Sequence, residues 1–504
     1  MLLRRLFMKK QVFFNEDPNH FVFVRTRAGK EQITREDIVS FIKQYENTDI
    51  TDFLICLNAS SCWYPSKRTD NVIDKWNRTK DKSSSVSLGA AMMADIYARG
   101  LELHKIWIEE LRKIGIRPWI SIRMNDIHGS SHPGDFLNSA LVEEHPEYNR
   151  AAHRGAAGYY DFALDYMQEE VREYYAAVAE EALETFDTDG IELDFMREIY
   201  SVCIGREHEG VKVINAFLRR IHAAVKRAEK KRGHKIDINV RVPANPELAL
   251  RLGFDVFAWV DEGLADYITV TPRWASSDNN MPVDIWKKIF GDRVKILAGL
   301  EIIIDAYNRR PRVYRYNTLE TDTGSACAYH CMGADGIYLF NHMDSITPFE
   351  GEDRFSIIER GINDFLCKVG DYNALVSSNR RHVVTFCDVS AVGAGVPKQL
   401  PVTLEKSSFP ALRVPTGNIP KDASVRLIVG ISGSADESTL FAFANAKPCG
   451  KAYRTERKYP QYDDMSYFAF DMENDGGLPP VTVCELSVKE GKATVHWAEI
   501  EVNN

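Results

Sequence analysis

The sequence predicts an α/β fold, a (β/α)8 TIM barrel followed by a smaller C-terminal all-β domain of the β-sandwich type. Three observations predict it. Eight short apolar runs alternate with longer amphipathic segments through the first three quarters of the chain. The glycine-rich phosphate fingerprint of an open dinucleotide-binding sheet does not follow the first run. After about residue 375 the helical periodicity stops, and short β-rich runs separated by Gly, Pro, Asn and Asp take over. The barrel is therefore assigned to residues 1–375 and the β domain to residues 376–504.

The eight apolar runs are residues 11–14, 52–57, 118–122, 190–195, 236–242, 266–271, 294–300 and 336–340. Each is short, rich in Ile, Val, Leu or Phe, and followed by polar or turn residues, as buried parallel strands are. Helices are predicted at 34–45, 98–114, 166–185, 210–231, 246–252, 283–290, 319–332 and 354–367. Thr34 is placed to cap the first. The fourth gathers Lys226, Arg227, Lys230, Lys231 and Arg232 before Gly233. Cations suit the negative C-terminal pole of a helix, and glycine accepts the turn beyond it. In the last domain, strands are predicted at 382–386, 401–404, 425–430, 439–444, 481–488 and 493–502. The last two, joined by Lys489-Glu490-Gly491-Lys492, read as a hairpin. With no low-complexity linker, the β domain is expected to pack firmly on the barrel.

Composition bounds the function. The chain has 504 residues, 44% apolar and 27% charged, which suits a globular protein with a large core and excludes a disordered chain or a fibre. Lys plus Arg number 63 and Asp plus Glu 72, a net charge of −9 without a basic stripe, so no nucleic-acid partner is expected. No run approaches the ~20 apolar residues of a membrane span. The first ten residues are too broken by charge for a signal-peptide apolar region. Nine scattered cysteines show no paired metal spacing. An odd count without a signal peptide predicts a cytoplasmic location, with unconventional export left open. No metal and no cofactor are expected.

Barrel active sites lie at the C-terminal ends of the strands. Side chains alternate along a strand, so Glu192 and Asp194 share one face of the fourth, Ser121, Arg123 and Asn125 one face of the third, and Asn239 and Arg241 one face of the fifth. The mouth then gathers Asp17, Asp126, Glu192, Asp194 and Glu301 with Arg123, Arg197, Arg241, Arg273, His128, His132 and His342. Buried unpaired charges cost several kcal/mol each, so a cluster of this size points to an active site. Asp17, in Asp17-Pro18-Asn19, also fits a simple turn cap.

The run Phe186-Asp187-Thr188-Asp189-Gly190-Ile191-Glu192-Leu193-Asp194-Phe195 is similar to the strand-four signature of many glycosidase-like barrels. It occurs with a strand-one Asp, with Arg123-Met124-Asn125-Asp126-Ile127-His128, with Leu339-Phe340-Asn341-His342 and with a C-terminal β domain. Together these resemble the inverting exo-sialidases of glycoside hydrolase family 156. The resemblance implies single displacement on a terminal α-sialoside, with His128 as Brønsted acid, Asp17 as base, and Asp126 and Asp194 as fallback bases. It also implies a sialylated glycan partner and a homodimer. Arg123, Arg197 and Arg241 suit the carboxylate on the anomeric carbon. Asn125, Asp126, Asp194, Asn341 and His342 complete the expected substrate contacts. Trp63 and Trp76 are more often packing than platform residues, and with Tyr64 they are the candidates to receive the aglycone. A retaining variant on Tyr338 lacks a visible glutamate partner in the sequence.

Three other readings stand beside this one. A glycosidase for another sugar would use Asp194, Glu192 and Glu301 as its carboxylate pair. A metal-dependent hydrolase would draw ligands from His128, His132, Asp135 and His20. A non-catalytic sugar-binding protein would use the same rim for recognition alone.

Overall fold

The computed structural model describes residues 9–27, 29–154, 159–308, 315–342, 363–456, 465–475 and 477–504. Eight parallel strands close into a barrel in chain order. They are β1 (Gln11–Glu16), β2 (Asp52–Cys56), β3 (Arg117–Arg123), β4 (Gly190–Asp194), β5 (Asp237–Pro243), β6 (Tyr267–Thr271), β7 (Lys295–Leu300) and β8 (Gly336–Leu339). β1 pairs with both β2 and β8, which removes every free edge. All eight coincide with the predicted runs to within two residues at each end.

Alternation along the strands separates two cores. Phe13, Leu54, Trp119, Tyr267, Leu297, Tyr338 and Phe340 pack inside the barrel. Val12, Phe14, Phe53 and Ile55 point outward, into the larger cluster shared with the helices. The interior is tight: a Cβ on Gly190 would lie 2.1 Å from the Trp119 ring, so β4 starts with glycine where β3 carries tryptophan. Register then stacks Ser121, Glu192 and Asn239 in one layer, and Arg123, Asp194 and Arg241 in the next layer toward the mouth.

The predicted helices are present with adjusted ends. Arg35–Lys43 is capped by Thr34, whose hydroxyl accepts from Asp37 N. Glu207–Arg232 ends on Gly233 in the left-handed conformation, φ 82°. The predicted helix 98–114 is Leu103–Lys113, and Val72–Thr79 and Ser85–Ala98 precede it. Pro18–Arg27, Val256–Asp261 and Tyr372–Val376 are additional. Pro18–Arg27 is rich in β-branched and aromatic residues, which weakens a helical signal. Of the predicted helix 354–367, residues 354–362 lie outside the described residues, and Asn363–Leu366 is helical.

The C-terminal region forms two antiparallel sheets. One orders Val402–Glu405, Lys492–Asn503, Ser424–Gly433, Ser466–Met472 and Tyr453–Arg454, with Arg380–Val383 also paired to Lys492–Asn503. The other orders Ala411–Pro415, Val481–Val488, Leu440–Ala444 and Lys447–Pro448. The predicted hairpin is therefore corrected. Val481–Val488 and Lys492–Asn503 are consecutive but belong to opposite sheets. They face each other through side chains across a shared core, where Cys484, Leu486, Val495 and Trp497 meet. A short glycine turn with alternating apolar residues on both sides fits an arch as well as a hairpin.

This region sits firmly on the barrel, as predicted. Ile304 and Ala306 of the barrel belong to its core. Asn279 donates from its backbone to Thr385 Oγ1 at 2.7 Å and from its side chain to Val383 O at 3.0 Å. A Cβ on Gly324 would lie 2.2 Å from Arg381 O, so helix Leu319–Cys331 lies directly against strand Arg380–Val383. All nine cysteines are free thiols. No helix among the described residues is long and apolar enough to cross a membrane.

Candidate active site

Five of the expected residues form one continuous network at the strand ends. Arg123 donates to Asp17 Oδ2 at 2.7 Å and to Asp126 Oδ2 at 3.0 Å. The other Asp126 oxygen lies 2.7 Å from His128 Nδ1 and accepts from His128 N at 2.9 Å. Arg197 reaches His128 Nε2 at 2.6 Å. Arg197 Nη2 also lies 3.1 Å from Nδ1; a neutral ring with its proton on Nδ1 toward Asp126 lets the Nε2 lone pair accept from Arg197. Burial pushes the Asp126 carboxyl up, but His128, Arg123 and Arg197 outweigh it and hold it well below the usual range.

His128 and Arg197 line a cavity of about 340 Å3, together with Arg273 and Trp274. The His128 side chain is 40% exposed there, whereas Asp126 behind it is fully buried. Arg273 is held by Glu198 Oε2 at 2.6 Å and lies 4.8 Å over the Tyr160 ring. The pocket thus offers an anion two guanidiniums, an imidazole and an indole.

Asp17 is 5% exposed and does two structural things at once. Besides accepting from Arg123, its Oδ1 accepts from Asn19 N at 2.9 Å, at the start of helix Pro18–Arg27. The turn-cap expectation is met by this side chain, which also carries the ion pair to Arg123.

Asp194 and Arg241 form a buried pair in the same layer as Arg123, with oxygens 3.1 and 3.3 Å from Arg241 Nη1. Arg241 is fully buried and lies 3.6 Å over the Phe340 ring. Asp194 Oδ1 also accepts from Met196 N and Arg197 N, so it shapes the turn that delivers Arg197 to His128. One layer below, Glu192 accepts from Ser121, Asn239 and Tyr338. Burial, reinforced by Asp194, pushes its carboxyl up to about 8. Glu301 accepts from Asn341 at 2.9 and 3.0 Å, and burial pushes it up to about 7. His342 is buried, bonded to Phe340 O and 3.5 Å from Asp322.

Several placements differ from expectation. Asn125 is fully buried, donates to Leu164 O and Tyr200 O, and accepts from Leu164 N. β3 ends at Arg123, so the alternation that put Asn125 on the inner face stops before it. Trp63, Tyr64 and Trp76 are not an aglycone platform. All three are buried in the main core, and Tyr64 donates to Glu181. The glutamate partner of Tyr338, invisible in sequence, is Glu192 at 2.9 Å, though both side chains are fully buried. Among the described residues no group of three His, Cys, Asp or Glu is placed to hold a metal ion. Sequence reasoning missed Glu198, Tyr160 and Asp388. Glu198 directly follows Arg197 on the strand-four loop, which is the signal that could have found it. The other two lie in segments without a motif.

No protein-family model matches the chain, and no curated protein matches it. Among solved structures, it is similar to an α-L-fucosidase isoenzyme 2 from Paenibacillus thiaminolyticus at 12% identity and TM-score 0.41, over 73% of this chain and 49% of that one. It is similar to a family GH18 chitinase from Chromobacterium violaceum at 8% identity and TM-score 0.37, over 98% and 91% of the two chains. It is also similar to the PgaB glycoside hydrolase domain from Bordetella bronchiseptica at 9% identity and TM-score 0.41, over 66% and 94%. The chain spans about half the length of that fucosidase.

Proposed function

We propose that the protein is a glycoside hydrolase that removes a terminal carboxylate-bearing sugar, specifically an exo-sialidase that cleaves 2-linked α-sialosides with inversion. The observation that carries this reading is the convergence of His128, Arg197, Arg273 and Trp274 on one cavity, in a protein whose net charge is −9. Two guanidiniums favour a planar anion, and the indole offers a face to a sugar ring. In a sialoside the carboxylate and the scissile bond share the anomeric carbon. The group that binds the one therefore lies beside the group that protonates the other.

The mechanism follows from the resting contacts. A substrate carboxylate draws Arg197 toward itself and off His128 Nε2. That nitrogen is then free to take up a proton and donate it to the departing oxygen. Asp126, ionised and buried behind Nδ1, stabilises the imidazolium. Asp17 is the base of this reading. Both of its oxygens are engaged at rest, so Arg123 has to release it before it can take a proton from water.

A second reading has its own observation in favour. Carboxyls pushed up to about 7 and 8 are suited to donating a proton near neutrality, and Glu301 and Glu192 are two such groups. With Asp194 they would serve a glycosidase for a neutral or uronic sugar.

Proton NMR of the purified protein acting on a 2-linked α-sialoside tests the proposal. Release of β-sialic acid first is expected. First appearance of the α-anomer would keep the sialidase and remove the single displacement. No release, with turnover of a neutral or uronic glycoside that Glu301→Gln abolishes and His128→Ala retains, would establish the second reading.

A further inference from the structure

The recognition side of the pocket depends on a residue outside the barrel strands. We propose that Asp388, in the segment between strands Arg380–Val383 and Val402–Glu405, is a positioning residue that fixes the Arg273–Trp274 arm and so sets the affinity of the pocket for its anionic substrate. The inference rests on the reading above for the nature of that substrate.

Three consecutive backbone amides converge on this one carboxylate. Asp388 Oδ1 accepts from Arg273 N at 2.9 Å, and Oδ2 accepts from Trp274 N at 2.7 Å and Ala275 N at 2.6 Å. Residues 272–275 follow β6 and lie outside any helix or strand, so contacts of this kind determine their course. Bonds from N–H groups to a charged acceptor are among the stronger ones available. Two of the three anchored residues line the cavity itself.

The same segment supports the pocket from a second side. Ser390 O accepts from the Tyr200 hydroxyl at 3.0 Å. The Tyr200 ring meets Tyr160 edge-on at 5.0 Å, and the Arg273 guanidinium lies over Tyr160. Residues 388–390 therefore hold both the backbone that carries Arg273 and the aromatic stack beneath its side chain. The barrel alone arranges the other half, since Asp126 and Asp194 orient His128 and Arg197. The C-terminal segment thus supports the Arg273–Trp274 side of the pocket, and the barrel supports the His128–Arg197 side.

Asp388→Asn keeps the size of the side chain and removes the charge. Arg273 would hold the substrate carboxylate equally in the ground state and the transition state, so its misplacement acts on KM. The expected result is a rise in KM for the α-sialoside of about tenfold with kcat within about twofold, the size of one weakened charge-assisted contact. Asp388→Glu should recover part of the loss. Hydrogen exchange at the amides of residues 273–275, read in the full chain, should quicken about tenfold in Asp388→Asn. An unchanged exchange rate overturns the clamp. Faster exchange with an unchanged KM overturns its role in recognition, and so does a fall in kcat as large as the rise in KM. If the wild-type protein neither binds nor cleaves the sialoside, the substrate reading fails and the role in recognition fails with it. Exchange then decides the clamp alone.

Discussion

At the scale of single residues, the site is a set of charges that neutralise one another, and in the proposed mechanism a substrate anion breaks that balance. His128 is held between an anion at Nδ1 and a cation at Nε2. Its loss removes the proposed proton donor, so His128→Ala should lower kcat by about 10²–10⁴, the usual contribution of general acid–base catalysis. Steady-state kinetics on the α-sialoside check this. Arg273→Ala should act differently, raising KM far more than it lowers kcat, because in the proposed reading it binds a group that does not change during reaction. Which residues can be read from sequence follows from the same chemistry. Asp126, His128 and Arg197 lie just beyond strand ends, where strand pattern and barrel topology both point. Asn125 has the same residue chemistry, yet its amide is committed to the backbone of Leu164 and Tyr200. Only the fold of those two loops decides that. Trp63 and Trp76 look identical to platform residues in sequence, and burial alone separates the two roles.

At the scale of elements, strand alternation is the signal that survives. Period two correctly turns Glu192 and Asp194 into the barrel, because a carboxylate facing the apolar helix layer would be stranded without partners. The close approach of β3 and β4 gives a stability prediction. Gly190→Ala forces a methyl into the Trp119 ring and should destabilise the barrel by about 1–3 kcal/mol or more, the range for overpacking a filled core. Thermal denaturation checks it, and a Tm equal to wild type would contradict the packing described. The arch between Val481–Val488 and Lys492–Asn503 marks where element-level reading stops. Local residues fix that the chain turns, but the choice of partner strand depends on Ser424–Gly433 and Ala411–Pro415, which are distant in sequence.

At the scale of the whole molecule, buried carboxyls tie stability to pH. Glu301 and Glu192 have folded values of about 7 and 8, above the ~4.3 of an exposed glutamate. Between those limits the folded state binds more protons than the unfolded one. Their contribution is therefore complete below the unfolded value and is lost as pH rises through about 7–8. The buried His104 and His330 rings, pushed down to about 3 by burial, work in the opposite sense. Their contribution is complete above the ordinary histidine value of ~6.5 and lost at lower pH. Between ~4.3 and ~6.5 the two effects oppose one another; from ~6.5 to about 8 only the glutamate loss remains, so stability should fall across that window and level off above it. Glu301→Gln should make that fall shallower. A flat Tm between pH ~6.5 and about 8 in the wild-type protein would contradict the burial of these two groups.

The order of eight strands, the polar character of their C-terminal ends and the change to β structure near residue 375 were determined by the sequence alone. Each is a local pattern, in which apolar periodicity records which side of an element meets water. The tertiary structure decided which of a dozen charged rim residues share a cavity and which hold the fold together. It joined Asp17, Arg123, Asp126, His128 and Arg197 in one network, paired Asp194 with Arg241 beside it, and brought Asp388 to the loop of Arg273. Those assignments depend on distances between segments tens to hundreds of residues apart. A single charged residue carries the same local signal whether its partner is a substrate, a backbone amide or another side chain, so only three-dimensional proximity separates the three.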